Sequence, residues 1–370
     1  MTDAKGEIYF FRNYQYDSSG NILENRLYGC LTGRKKVPLV LNSDKLPSKE
    51  CECEVKTNVF SRDGFNLKLS EKDSQGVTTL FRYEPGTDRL MTRLMLNGDR
   101  VFSREFFEYD ENHAVSKKIV DDGHSHFKGN MQGVTKRHVT KYKNRTSKPI
   151  GLPEEETHYY VDLESLRLQQ LKRLTSLYTK EGWLEKQDIY DTEDQFRYSQ
   201  EWERDKHGDV IKEVNPVGEV ISKKYDSNDN LIVQCGPCLG YRIENSYDYM
   251  NRLIQQKEIH PNGESFETNY AYDYLGNCVS QINPYGLETR FKFDDFNRRT
   301  ATYHPGLKDE KGNRVQPVSR VKYNVVGYPI SLQDPAGNET ISDYNVGGQP
   351  IKITYADGTF EKFFYRFMLS

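Results

Sequence analysis

At 370 residues the chain is long enough for one large or two ordinary domains. A mean hydropathy of −0.84 is low enough to suggest disorder, but 26 Tyr and 18 Phe exclude an ordinary disordered composition. A sheet that buries a Tyr/Phe-rich face and solvates the other fits both facts. The 52 basic and 55 acidic residues are interspersed and sum to −3, so no basic stripe marks a nucleic-acid partner. No apolar run is long enough to span a bilayer, and MTDAKGEIYFFRNYQYD lacks the basic-then-apolar order of a Sec-type signal peptide. Six cysteines are too few for a disulfide scaffold.

In chain order, the first turn is Tyr16-Asp17-Ser18-Ser19-Gly20-Asn21, with Ile22 opening a strand. Residues 30–200 are less regular. There, Tyr83-Glu84 through Asp88-Arg89-Leu90 to Tyr109-Asp110 parallels Tyr160 through Ser165-Leu166-Arg167-Leu168 to Tyr190-Asp191. Both copies are read as strands. The alternative is a helix over 163–177, with Leu163, Leu166, Leu171, Leu174 and Leu177 near one face.

From about residue 205 the pattern sharpens, and internal self-similarity becomes the main signal. An aromatic precedes Asp or Asn at Asp226, Asp248, Asp273, Asp294, Asn324 and Asn345. The interval from Asp273 to Asp294 recurs from Asn324 to Asn345, and the other steps exceed it, most of all the one from Asp294 to Asn324. Asp205 precedes Asp226 by that same interval, without the aromatic. Between these lie Pro216-x-Gly218, Pro261-x-Gly263, Pro284-x-Gly286 and Pro335-x-Gly337. Pro216 stands as far after Asp205 as Pro284 does after Asp273, and the distances onward to Asp226 and Asp294 are equal as well. Each unit therefore holds two turns and two segments of strand length. Asp or Asn opens a turn through its side chain, and at the fourth turn position the chain needs positive φ. That position holds Gly20, His113, Gly208, Asp229, Asn251, Gly276, Asn297, Gly327 and Gly348, all of the tolerant kinds.

These residues resemble the Rhs/YD-repeat family. Tyr272-Asp273-Tyr274-Leu275-Gly276-Asn277-Cys278, followed by Pro284-Tyr285-Gly286-Leu287-Glu288-Thr289, is similar to its repeat. The resemblance is strong over 205–365 and touches Tyr16-Asp17 and Tyr109-Asp110. It implies an all-β fold, an elongated coiled ribbon of antiparallel β-hairpin repeats forming part of a YD-repeat shell. The expected organisation is degenerate repeats with longer loops over 1–200 and a regular shell segment over 201–370, truncated in mid-repeat. The family includes bacterial polymorphic toxins and insecticidal toxin-complex proteins, whose shells enclose cargo, and the teneurins. The resemblance therefore implies a non-enzymatic shell or scaffold, with a protein cargo or a neighbouring shell chain as partner. The core segment by which bacterial members plug the shell and cleave the chain has no counterpart here. The closing stretch, with Phe360, Phe363, Phe364, Tyr365, Phe367, Met368 and Leu369, reads as an aromatic edge that would associate. The alternative is a carbohydrate or cell-surface binding module using Tyr-rich faces.

Other constellations were weighed as chemistry. Cys235-Gly236-Pro237-Cys238 spells a thiol-redox motif, whose activation needs a helix N-terminus at the first Cys. Pro237 stands as far after Asp226 as Pro216 does after Asp205, so the repeat phase makes this segment a turn. Thiol oxidoreductase activity is thus a distant third reading. Cys51-Glu52-Cys53 joined to that pair would suit zinc only if the fold brought them together. His124-Ser125-His126 reads as loop, and His260 and His304 precede Pro in turns. No residue is assigned to catalysis, metal or cofactor, no cofactor is expected, and localisation is left open, with export by a dedicated secretion system as one route.

Overall fold

The computed structural model describes residues 7–32, 37–44, 46–47, 51–308 and 311–365. The expectation placed on Phe367, Met368 and Leu369 lies outside them. The described chain is all-β and without helices, and 27 of its strands form one antiparallel sheet that does not close into a barrel. Strands pair with their neighbours in sequence: Val220–Tyr225 lies between Val210–Val214 and Leu231–Cys235, for example. The long step from Asp294 to Asn324 holds an inserted two-stranded hairpin, Leu307–Lys308 with Arg314–Val315. Segment 163–177 is a turn followed by the strand Leu168–Tyr178, as the strand reading expected.

Alternation makes these strands. In Glu288–Phe293 the side chains of Thr289, Phe291 and Phe293 are half-buried while Glu288, Arg290 and Lys292 face water. Val220–Tyr225 repeats the pattern. Full burial is rare, which explains how so polar a chain folds: a face covered by half-buried aromatics and aliphatics substitutes for a deep core.

The structure divides into two compact units. Among the described residues, one comprises those up to Leu80 together with those from Tyr270 onward, and the other spans Phe81–Asn269. In the second, Phe106, Ile119 and Val139 form a buried cluster against which Tyr159 and Val161 pack. Truncating Phe106 to Ala would cost about 3–5 kcal/mol by transfer and cavity effects. Beside it the fully buried Arg104 pairs with Asp121, which also holds Arg137 at 2.7 Å. The Arg104 guanidinium donates to the carbonyls of Ser125 (2.8 Å), Phe127 (3.1 Å) and Asn130 (3.0 Å), fixing the loop that carries His124 and His126. These acceptors satisfy a charge that would otherwise be prohibitive to bury.

Candidate functional surface: two series of turns

Turns alternate along the chain. A first series opens at Asp17, Asp110, Asp205, Asp226, Asp248, Asp273, Asp294, Asn324 and Asn345, and a second series contains the Pro-x-Gly segments. Both are closed the same way. The first residue donates its N–H to the carbonyl of the fifth, and the fourth donates back to the first. In the Asp226 turn these bonds are 3.0 and 3.2 Å, and in the Asp273 turn 2.9 and 3.1 Å. The opening side chain completes the turn: Asp273 Oδ1 accepts the N–H of Leu275 at 3.0 Å and of Asn277 at 2.8 Å. The nine αL positions named from sequence take φ between 58° and 103°.

In the second series the opener is the residue before the proline. Asn215 Oδ1 accepts the N–H of Val217 (3.1 Å) and Glu219 (2.9 Å), and Asn283 does the same for Tyr285 and Leu287, both at 3.0 Å. The marker Pro216, Pro261, Pro284 and Pro335 therefore occupies the second turn position, where its fixed φ suits. Gly218, Gly263, Gly286 and Gly337 occupy the fourth at φ 85°, 85°, 75° and 93°. Sequence reasoning missed the openers, although Asn215, Asn283 and Asp334 directly precede the markers. The two long copies noticed in the sequence are out of phase: Asp110 opens a turn of the first series and Asp191 one of the second. Leu166 also takes φ 55°, where the tolerant residue types were expected.

The motif tyrosines are structural pins. Tyr109, Tyr225, Tyr247, Tyr323 and Tyr344 donate their hydroxyls to the carbonyls of Leu90 (2.9 Å), Val210 (3.1 Å), Leu231 (3.0 Å), Arg299 (3.0 Å) and Pro329 (3.0 Å). Each acceptor opens the neighbouring strand in the same hairpin, so the pin ties its open end. Burial nudges the phenols of Tyr109, Tyr225, Tyr247 and Tyr344 upward, keeping them neutral donors.

Within each unit the first-series turns also stack. The fifth residue of one turn meets the αL residue of the next. Asn21 Nδ2 donates to Asn66 Oδ1 (2.7 Å), Asn230 to Asn251 (3.0 Å) and Asn277 to Asn297 (3.1 Å). At three rungs the fifth residue is large and the αL residue is Gly. The Trp183 ring lies 3.0 Å from where a Cβ on Gly208 would stand, and the Tyr328 ring occupies the space a Cβ on Gly348 would need. Arg298 reaches over Gly327 and donates to the Asn324 carbonyl at 3.0 Å. One rung breaks this chemistry: Asp209 faces Asp229, two carboxylates where other rungs pair amides. Asp209 Oδ2 is enclosed and lacks a hydrogen-bond partner among the described atoms. Desolvation, then Asp229 and Asp205, raise its carboxyl pKa. By contrast Asp226 and Asp273 are held below the usual range, chiefly by the amides of Asn230 and Asn277.

In the second series the glycines of the regular turns carry no such neighbour: nothing lies within 4 Å of a Cβ built on Gly218, Gly263, Gly286 or Gly337. Cys235 ends the strand Leu231–Cys235, and Gly236–Gly240 loops to the strand Arg242–Tyr247, so neither cysteine stands at a helix N-terminus. Cys51 and Cys53 lie in the other unit, where burial raises both thiols. His126 Nδ1 meets Arg82 at 3.0 Å, His304 meets Ser319 at 2.9 Å, and His260 sits edge-on between Tyr241 and Phe266. Among the described residues no group of three or more His, Cys, Asp or Glu is placed to hold a metal. The chain's two tryptophans, Trp183 and Trp202, line one cleft of about 590 Å³ with Glu201, Glu203, Arg204 and Lys212.

No family model matches the sequence. Among solved structures, the chain is similar to the Photorhabdus luminescens Tc holotoxin pore, with 11% identity over 93% of this chain and 21% of that one, at a TM-score of 0.49. It is also similar to TcdB2-TccC3-TEV, with 10% identity over 93% of this chain and 27% of that one, at a TM-score of 0.33. The chain thus spans about a fifth to a quarter of the length of these structures.

Proposed function

We propose that this chain is a non-enzymatic wall segment of an Rhs/YD-repeat shell or scaffold, related to the enclosure of a toxin or effector cargo. What carries the reading is the fate of the motif residues. Their carboxylates close turns, their tyrosines pin hairpins and their αL residues seat the next turn, so the repeat's polar chemistry is consumed in building wall. The partner is a protein cargo or a neighbouring chain that continues the sheet. Phe360–Lys362 pairs on one side with Pro350–Thr354, and its three residues are exposed. Such an edge accepts a further strand. Sedimentation of the purified chain across micromolar concentrations should show association, abolished by deleting 359–370. A monomer with and without that segment would remove the neighbouring-chain part of the proposal.

A second reading is a binding module for carbohydrate. The motif tyrosines give it little, since their hydroxyls are engaged; the two-tryptophan cleft gives it a place, because indole faces stack on sugars and flanking Glu, Arg and Lys hydrogen-bond them. Both tryptophans line that cleft, so saccharide titration should shift the chain's intrinsic fluorescence. A flat titration across a glycan panel rejects this reading.

A further inference from the structure

Asn324, Val325 and Gly347 lie where the two arms of the first unit meet, and each departs from the other first-series turns in identity or in burial. Asn324 stands where most first-series turns have Asp, and it is 2% exposed. Its Oδ1 performs the turn's task, accepting the N–H of Val326 (3.2 Å) and Tyr328 (2.8 Å). Its Nδ2 does something no aspartate does: it donates at 2.7 Å to the carbonyl of Leu31, near the other end of the sequence. Val325, the next turn residue, is 7% exposed, whereas Tyr274 at the same turn position is 89% exposed. Leu31 is itself 1% exposed. In the following turn Gly347 replaces a residue with a side chain, and Gln75 Nε2 fills the space its Cβ would take. Leu31 and Gln75 both lie in second-series connections of the N-terminal arm, and both contacted turns are first-series turns of the C-terminal arm.

We propose that the turns at 324–328 and 345–349 form a seat that latches the N-terminal arm, with Asn324 as its polar key. The amide is required because one side chain must accept from its own turn and donate to the arm. A carboxylate there would be desolvated and turned toward a carbonyl oxygen. The seat thereby joins the arms without any titratable group at its polar contact.

The test is hydrogen exchange on the full chain bearing Asn324→Asp, which keeps the turn's acceptor and removes the donor. Amides of 27–32 should exchange about tenfold faster while those of 326–328 stay protected. Asn345→Asp is the control, since the Asn345 amide reaches Gln349 within its own turn at 3.0 Å, and it should leave 27–32 unchanged. If Asn324→Asp fails to fold, Gly347→Val replaces it. That substitution should speed exchange at 73–77, and Gln75→Ala in the same chain should restore protection. Unchanged exchange at 27–32 in a folded Asn324→Asp, or at 73–77 in Gly347→Val, overturns the seat. Equal acceleration by Asn345→Asp also overturns it.

Discussion

The two series of turns share one backbone design and differ in what surrounds them. A turn of either series is closed by the same pair of backbone bonds and most often opened by Asp or Asn, yet first-series turns bear on one another while the glycines of the regular Pro-x-Gly turns face open space. Glycine is therefore present for different reasons. At Gly337 only the positive φ demands it, whereas at Gly348 the Tyr328 ring demands it as well. The lesson is that a turn residue is chosen by its own dihedral and by the neighbouring rung. That explains why the first series alternates among Gly, Asn, Asp and His while the Pro-x-Gly segments keep to Gly.

The comparison breaks most visibly at neighbouring glycines of the same unit. Gly337→Ala should cost about 1 kcal/mol, the strain of a Cβ at positive φ. Gly348→Ala adds displacement of a packed ring and should cost about 2–4 kcal/mol. Chemical denaturation of the two variants checks the difference, and equal losses would mean that the rungs are not packed. The rung rule sharpens further in a double variant. Tyr328→Asn with Gly348→Asn rebuilds the amide pair seen between Asn277 and Asn297, so it should be markedly less destabilised than the sum of the single changes.

Gly276 tests the dihedral alone within the first series. It takes φ 88°, and nothing lies within 4 Å of its would-be Cβ. Gly276→Val should cost about 1–2 kcal/mol, because a β-branched residue resists positive φ. Gly276→Asn should cost less than half of that, as Asn already serves at Asn251 and Asn297, with φ 61° and 58°. Equal unfolding midpoints for the two variants would contradict the assignment of the turn.

Much of this was legible from sequence. The recurring step, the Asp or Asn openers and the tolerant residues at the fourth position define hairpins because turn chemistry is local. What stayed hidden depends on residues brought together by pairing. The partner of each αL residue belongs to a different turn of the series, so Trp183 over Gly208 has no local signature, although large fifth residues facing Gly are readable once the stacking is known. Arg104 and Asp121 look like ordinary surface charges until the loop folds over them. Asn324 looked like a conservative exchange for Asp, and only the Leu31 carbonyl shows why the amide matters. The second-series openers were missed because Pro and Gly are the louder signals in Asn215-Pro216-Val217-Gly218.

The smallest expected effect concerns the rung that departs from the rule. Asp209 faces Asp229, with Asp205, His207 and Arg204 on its own turn and Tyr225 on the adjoining strand. Its raised pKa means that the folded state favours the protonated carboxyl. The associated stability is fully present below the unfolded carboxylate value near 3.8 and is lost as pH rises through the folded value. The turn carboxylates Asp226 and Asp273 run the other way. Their lowered values give stability that is present above the unfolded value and lost as pH falls through the folded one. Asp209→Asn converts the rung to an amide facing a carboxylate, the kind of bond that Asn277 makes to Asp273 at 2.9 Å. The variant should therefore be slightly more stable than the parent at neutral pH, and its advantage should shrink as pH is lowered toward 4. Asp226→Asn should instead be less stable than the parent throughout this range, since it removes a carboxylate that is favoured when charged, and its deficit should shrink only as pH falls below the unfolded value. Thermal unfolding of the three proteins between pH 4 and 7 decides the matter: a constant offset between parent and Asp209→Asn would mean that this carboxylate pair does not hold a proton in the folded chain.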